Sequence, residues 1–246
     1  RDLNSKESFQ RMKAENHIIR LKIPSSGTVT IHDQIRGEIN FDLNLLQDQI
    51  IIKSDGYPTY HFASVVDDHL MKISHVIRGE EWIPSLPKHY LLYKAFDWEL
   101  PKFIHLPLLL NKDKSKLSKR QSDVAVEDYI HNGYLQEGII NFVSLLGWHG
   151  SNNREIYNIN ELIYNFSINR IRSSGAVFDI EKLNWFNQHY IKHSDDLTLL
   201  NAAKKHIPDN WDITEAMINL VKDSIKTISE IKDKLSIFFT YSVNSD

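Results

Sequence analysis

The sequence predicts an α/β fold that passes into a mainly helical region, and three observations carry this. Residues 74–120 run as apolar strand, charged loop, helix, apolar strand and basic loop, an order that makes half of a doubly wound fold. After Arg120 the apolar residues recur at helical rather than strand spacing. With 246 residues and 41% hydrophobic content, the chain can bury one large core or two smaller ones.

Taken in order, residues 1–15 are polar with Phe9 and Met12 at helical spacing, which predicts a short helix opened by Asn4 or Ser5. Residues 17–23 alternate like a strand, and Pro24-Ser25-Ser26-Gly27 turns the chain. Further short strands are expected over 28–31, 38–43 and 49–53, so the opening is a small mixed α+β region. Pro58 biases Tyr57 away from helix, which sets Tyr60 and His61 at the start of an ordered element with a helix over 62–70. A strand at 74–77 then leads into Arg78-Gly79-Glu80-Glu81-Trp82, followed by a helix over 85–96 and a buried strand over 103–110.

Beyond Arg120, Ser122 or Asp123 is expected to cap a helix through Tyr129 and Ile130 that Gly133 ends. Leu135, Ile139, Phe142, Val143 and Leu146 mark the apolar stripe of the next helix. Residues 153–159 read as strand-like or irregular, and 160–164 as another helical turn or two. Asp179 caps a helix carrying Leu183, Phe186 and Tyr190 on one face. From Thr214 onward Met217, Val221, Ile225, Ile228 and Leu235 predict one longer amphipathic helix. Pattern changes near residues 54, 111 and 195 are the expected domain boundaries.

Composition narrows the chemistry. The absence of cysteine removes a disulfide framework, a thiolate zinc site and a cysteine nucleophile, and fits a reducing compartment. Twelve histidines keep zinc chemically open, but no His-Glu-x-x-His or similarly tight spacing occurs. In Asp67-Asp68-His69 the side chains are adjacent on a helix and do not converge, so no metal ligand is named. No apolar run is long enough to span a bilayer, so no membrane partner is expected. The first residue is Arg rather than Met, and the chain is expected to be a piece of a longer one.

Segment 111–120, Asn-Lys-Asp-Lys-Ser-Lys-Leu-Ser-Lys-Arg, gathers Lys112, Lys114, Lys116, Lys119 and Arg120 in a chain whose net charge is only -3. Charge alone leaves two readings, a phosphate-binding loop or a solvated basic turn. The cluster Arg78-Gly79-Glu80-Glu81-Trp82 stands at the C-terminal end of a strand, where open α/β sheets bind ligands; the alternative is a turn with a surface ion pair. Arg170 and Arg172 are either phosphate contacts or ordinary surface cations.

Taken together, the motifs resemble one family. Ser54-Asp55-Gly56-Tyr57-Pro58-Thr59-Tyr60-His61-Phe62-Ala63, Val65-Val66-Asp67-Asp68-His69, Val76-Ile77-Arg78-Gly79-Glu80-Glu81-Trp82 and Lys116-Leu117-Ser118-Lys119-Arg120 occur in the order found in bacterial-type glutamyl-tRNA synthetases, which are class I aminoacyl-tRNA synthetases. Gly175-Ala176-Val177-Phe178-Asp179 and Lys182-Leu183-Asn184-Trp185 extend the likeness, which covers essentially the whole chain. The resemblance implies the second half of a class I Rossmann-like catalytic fold with part of its acceptor-binding insertion, followed by a mainly helical stem-contact domain. Its expected divisions are 1–54 for the insertion, 55–111 for the catalytic half, 112–195 for the signature loop and stem-contact domain, and 196–246 for the first helices of the anticodon-binding region.

The family's chemistry joins L-glutamate to ATP as glutamyl-adenylate and passes the acyl group to the 3′ end of tRNA(Glu). The resemblance implies Lys116, Lys119 and Arg120 as catalytic cations, with Lys119 on the ATP phosphates and Glu81 and the backbone near Leu109 close to the ribose or adenine. It implies Tyr60, Ser64 and Arg78 as glutamate contacts and Trp82 along the passage of the tRNA end. Ser64 departs from the pattern, standing where many relatives carry Asn, so its shorter reach leaves that contact to water or moves it. Mg2+ is expected with ATP, without a dedicated protein site, and a cytoplasmic monomer is the family expectation. The upstream His-Ile-Gly-His-like signature has no counterpart here, so the fragment alone is expected to be inactive. The competing readings are a noncatalytic tRNA-binding fragment and a glutaminyl-tRNA synthetase, whose distal region would be β-rich.

Overall fold

The computed structural model describes residues 3–117 and 125–240, and the chain divides into two compact units, Arg1–Leu106 and Pro107–Asp246. In the first unit Asn4 accepts a hydrogen bond from the Glu7 amide and opens α1 (Ser5–Ala14), as its position predicts. Strands β1 (Ile19–Leu21), β2 (Thr28–Asp33), β3 (Gly37–Asp42) and β4 (Gln49–Ile52) follow. β1 and β4 form an antiparallel pair, while β2 and β3 form a hairpin. The period-two side-chain alternation of β2 buries Ile31 and Asp33 and leaves Thr30 and His32 outside.

Thr59 donates its amide to the Ile51 carbonyl, which hangs α2 (Tyr60–Leu70) directly from β4. β5 (His75–Gly79), α3 (Leu86–Ala95) and β6 (Lys102–Leu106) then make one strand–helix–strand unit, with β5 and β6 parallel from His75 beside Lys102 to Gly79 beside Leu106. The sheet order is β3-β2-β6-β5. Ile31, Val76, Leu86 and Phe103 form the core beneath it, and Val65, Leu92 and Tyr93 join α2 to α3. A 3-10 stretch, Glu80–Ser85, intervenes between β5 and α3 and was not readable from periodicity, because Pro84 and the Glu-Glu pair obscure any repeat.

The strand expected over 103–110 is instead broken. Pro107 cannot donate to a ladder, so β6 stops at Leu106, and β7 (Leu109–Leu110) belongs to the second unit, pairing in parallel with β8 (Ala176–Val177).

In the second unit α4 (Val126–His131) starts after Ala125, which supplies no side-chain cap; the expected caps Ser122 and Asp123 lie outside the described residues. Gly133 does close this segment with φ +82, and a side chain there would meet the backbone of Ile228 and Ser229. On α5 (Gln136–Gly147) Ile139 and Phe142 are buried, but Val143 is 52% exposed: the stripe continues through Leu145 and Leu146, and Val143 falls at its edge. Residues 153–158 are irregular, and α6 (Ile159–Asn165) opens with a reciprocal cap between Asn158 and Glu161.

Asp179 caps α7 (Ile180–His193), whose Leu183 and Phe186 pack on Phe142, and α8 (Asp196–Ala203) follows. The single helix expected from Thr214 is divided into α9 (Glu215–Val221) and α10 (Ile231–Thr240). Asn187 donates to the Lys226 carbonyl at 2.6 Å and the Ile228 amide donates to the Gly133 carbonyl at 2.9 Å, so these backbone groups serve tertiary bonds instead of a helical ladder. Val221, Ile225, Ile228 and Leu235 nevertheless share one core with Ile191 and Leu199.

Asp33, fully buried, fastens the β2–β3 turn to β6. Its carboxylate accepts from the amides of Ile35 and Arg36, from the His105 amide at 3.0 Å and from His105 Nδ1 at 2.8 Å. Asp33→Ala strands these donors in the interior and is expected to cost about 3 kcal/mol or more, read as a lowered urea midpoint; an unchanged midpoint would show that the bonds carry no net stability.

Candidate functional site

The charged cluster lies at the C-terminal end of β5, and the fold brings three of the expected residues together there. Arg78 is near the end of β5, Tyr60 opens α2 and Trp82 sits in the 3-10 stretch. The Arg78 guanidinium carbon lies 5.6 Å from the Tyr60 ring centre and 5.1 Å from that of Trp82, and the two rings are 5.2 Å apart. Among the described residues Arg78 has no carboxylate at ion-pair distance and no hydrogen-bond acceptor. A guanidinium with aromatic neighbours and an unused donor fork has the chemistry to pair bidentately with a carboxylate.

Neighbouring charges are fixed differently. Arg36 pairs with Glu80 and donates to the His105 carbonyl, which ties the end of β5 to the β2–β3 turn. Gly79 leaves space that the Glu81 carboxylate occupies, and Glu81 itself is exposed. Ser64 Oγ turns back to the His61 carbonyl at 3.4 Å, one helical turn earlier.

Behind the aromatic pair lies a feature that sequence reasoning missed. His61 Nδ1 is 2.9 Å from His89 Nε2, and His89 is only 4% exposed. The available signal was the placement of His89 between Leu86 and Leu92 on the buried face of α3. Burial lowers the pKa of His89 to about 3, helped by the charge of Arg78; burial also lowers that of His61, with Lys88 and Arg78 adding to the effect. Burial raises the pKa of Asp68, which Arg78 opposes. The neighbouring His69 lies flat on Trp98 at 3.9 Å, and among the described residues no group of three potential ligands converges for a metal.

The basic segment begins in the second unit as a tight turn folded back on β7. The Asn111 amide donates to the Ser115 carbonyl at 2.8 Å, and the Leu117 amide donates to the Leu109 carbonyl at 2.9 Å. Lys116 bridges Leu110, so Lys116 and Leu109 are neighbours along one short ladder. Lys112 pairs with Asp179 at 2.9 Å, which raises the lysine pKa and lowers that of the aspartate. Lys119 and Arg120 lie outside the described residues. Arg170 and Arg172 line a separate cleft of about 660 Å³ in this unit with Trp148, His149, Arg154 and Lys182.

The neutral state of His89 makes stability pH-dependent. Its folded pKa lies below the unfolded 6.5, so its contribution is complete above that value and is lost as pH falls toward about 3, by up to about 1.4 kcal/mol per pH unit. Replacing it by Gln is expected to flatten the slope of unfolding free energy between about pH 6.5 and 5 in denaturant titrations. An unchanged slope would mean that other groups set it.

The family model for tRNA synthetases class I (E and Q), catalytic domain, matches residues 2–185. A glutamate–tRNA ligase of Clostridioides difficile (strain 630) is 47% identical over 97% of this chain and 51% of its own length. One from Alkaliphilus metalliredigens is 44% identical over 93% of this chain and 49% of its own. The crystal structure of a glutamate tRNA ligase from Elizabethkingia meningosepticum in complex with its amino acid superposes with a TM-score of 0.88 at 36% identity, covering 99% of this chain and 53% of that one. The chain thus spans about half the length of the curated relatives it matches. With a match across more than half of the chain, the chain belongs to the class I tRNA synthetases of the glutamate and glutamine group.

Proposed function

We propose that the protein carrying this chain is a glutamate–tRNA ligase, which activates L-glutamate with ATP and transfers it to the 3′ end of tRNA(Glu). The observation that carries the proposal is Arg78, set against Tyr60 and Trp82 with no carboxylate paired to it among the described residues. In this reading Arg78 and Tyr60 receive the amino acid, with Ser64 beside them through water, and Trp82 borders the passage of the tRNA end. Lys116, Lys119 and Arg120 neutralise the triphosphate as glutamate attacks the α-phosphate, and Glu81 and the Leu109 backbone meet the nucleoside. The bond from the glutamate carboxylate oxygen to the α-phosphorus forms as pyrophosphate leaves; the terminal ribose hydroxyl then displaces AMP. No covalent protein nucleophile is required.

Magnesium enters with ATP, where it screens phosphate charge. The domain reading assigns 1–54 to the acceptor-binding insertion, 55–111 to the catalytic half, 112–195 to the signature loop and stem-contact domain, and 196–246 to the start of the anticodon-binding region. A cytoplasmic monomer accompanies this reading; among the described residues no helix is long and apolar enough to cross a membrane. The helical run α4–α10 supports the glutamyl rather than the glutaminyl alternative.

The test is ATP–pyrophosphate exchange with tRNA present, comparing glutamate with glutamine for this chain and for the longer protein. Exchange only by the longer protein, and only with glutamate, is expected; exchange with glutamine would contradict the proposal. Arg78→Ala should raise the KM for glutamate by the equivalent of about 2–5 kcal/mol. Lys119→Ala should lower kcat by about a hundredfold with little change in folding, and full-rate exchange would remove Lys119 from the reaction.

A further inference from the structure

The His61–His89 pair has no role in the chemistry above, yet His61 lies beside both rings that flank Arg78. We propose that His61, keyed by His89, is a positioning residue that fixes Tyr60 and Trp82 and through them the guanidinium of Arg78. His61 presents its ring edge-on to both aromatics, at 5.7 Å and 72° from Tyr60 and at 6.2 Å and 71° from Trp82. These are the rings that flank Arg78. Tyr60 is 55% exposed, so core packing does not hold its orientation. The shared neighbour His61 does, and the 2.9 Å bond to the buried His89 fixes the rotation of the His61 ring.

The pair is not needed to hold α2 against α3. Val65, Leu92 and Tyr93, each 2% exposed or less, already join these helices with Phe62 and Trp98 around them. Loss of the His–His bond therefore frees a ring without opening the core. The polar contact is placed instead where it can set a direction, at the N-terminal turn of α2 beside the ligand-facing residues. The glutamate part of this inference rests on the proposed function, whereas the ring-positioning part concerns the unliganded protein.

Both parts are tested in the full-length protein with 5-fluorotryptophan incorporated and the Trp82 resonance assigned through Trp82→Phe. His89→Leu removes the bond and keeps apolar bulk; His89→Gln keeps a polar group near the Nε2 position; His61→Asn keeps an amide near Nδ1 but lacks the ring. The Trp82 fluorine resonance should shift or broaden in His89→Leu and His61→Asn and stay near the wild-type position in His89→Gln. In ATP–pyrophosphate exchange His89→Leu and His61→Asn should raise the KM for glutamate about tenfold with kcat within about threefold and the KM for ATP unchanged. A Trp82 resonance unmoved in His89→Leu, or KM values for glutamate and ATP that rise together, would overturn the proposal. If His89→Leu fails to fold, His61→Asn decides it. A wild-type enzyme without glutamate dependence would refute the proposed function, and the fluorine spectra would still decide the positioning claim.

Discussion

A single buried carboxylate, that of Asp33, organises the end of the sheet where the candidate site lies. By accepting two amides of its own turn and two donors of His105, it fastens the β2–β3 turn to the end of β6. The turn places Arg36, which reaches both the His105 carbonyl and Glu80. Glu80 begins the 3-10 stretch that carries Trp82, so the constraint passes from a buried hydrogen-bonded carboxylate to a residue beside Arg78. A buried carboxylate is weak evidence for net stability, because its desolvation offsets much of what its hydrogen bonds gain. Its value here is directional: four donors converging on one group leave few alternative arrangements of the turn.

Under the proposed function the consequence is a cation prepared for a ligand. Aromatic faces stabilise a guanidinium without satisfying its directional donors. Under the proposed function an incoming carboxylate supplies what the protein omits, and a neutral amide offers only one good acceptor in its place. Discrimination then follows from the cost of leaving partly buried donors unmet. The low pKa of His89 fits this arrangement, since a neutral His61–His89 pair adds no rival positive charge for the ligand to approach.

The legible parts of the fold were those encoded locally. Asn4, Asp179 and Gly133 announced helix ends because caps and left-handed turns depend on a single residue type. The strand–helix–strand core and the ring–guanidinium cluster were legible because sheet edges and motif order point to the same place. Features set by distant contacts were not. The break between α9 and α10 depends on Asn187 and Gly133, far away in sequence, while the apolar spacing runs on through it. Leu108 and Leu109 likewise continue an apolar run whose pairing changes at Pro107. The His61–His89 contact needed two helices to be packed before either histidine had a meaning.

The most direct measurement is a crystal structure of the longer protein with L-glutamate bound. The account predicts a glutamate carboxylate within about 3 Å of the Arg78 guanidinium, beside the rings of Tyr60 and Trp82. Glutamate held elsewhere, with the donors of Arg78 still unmet, would contradict it.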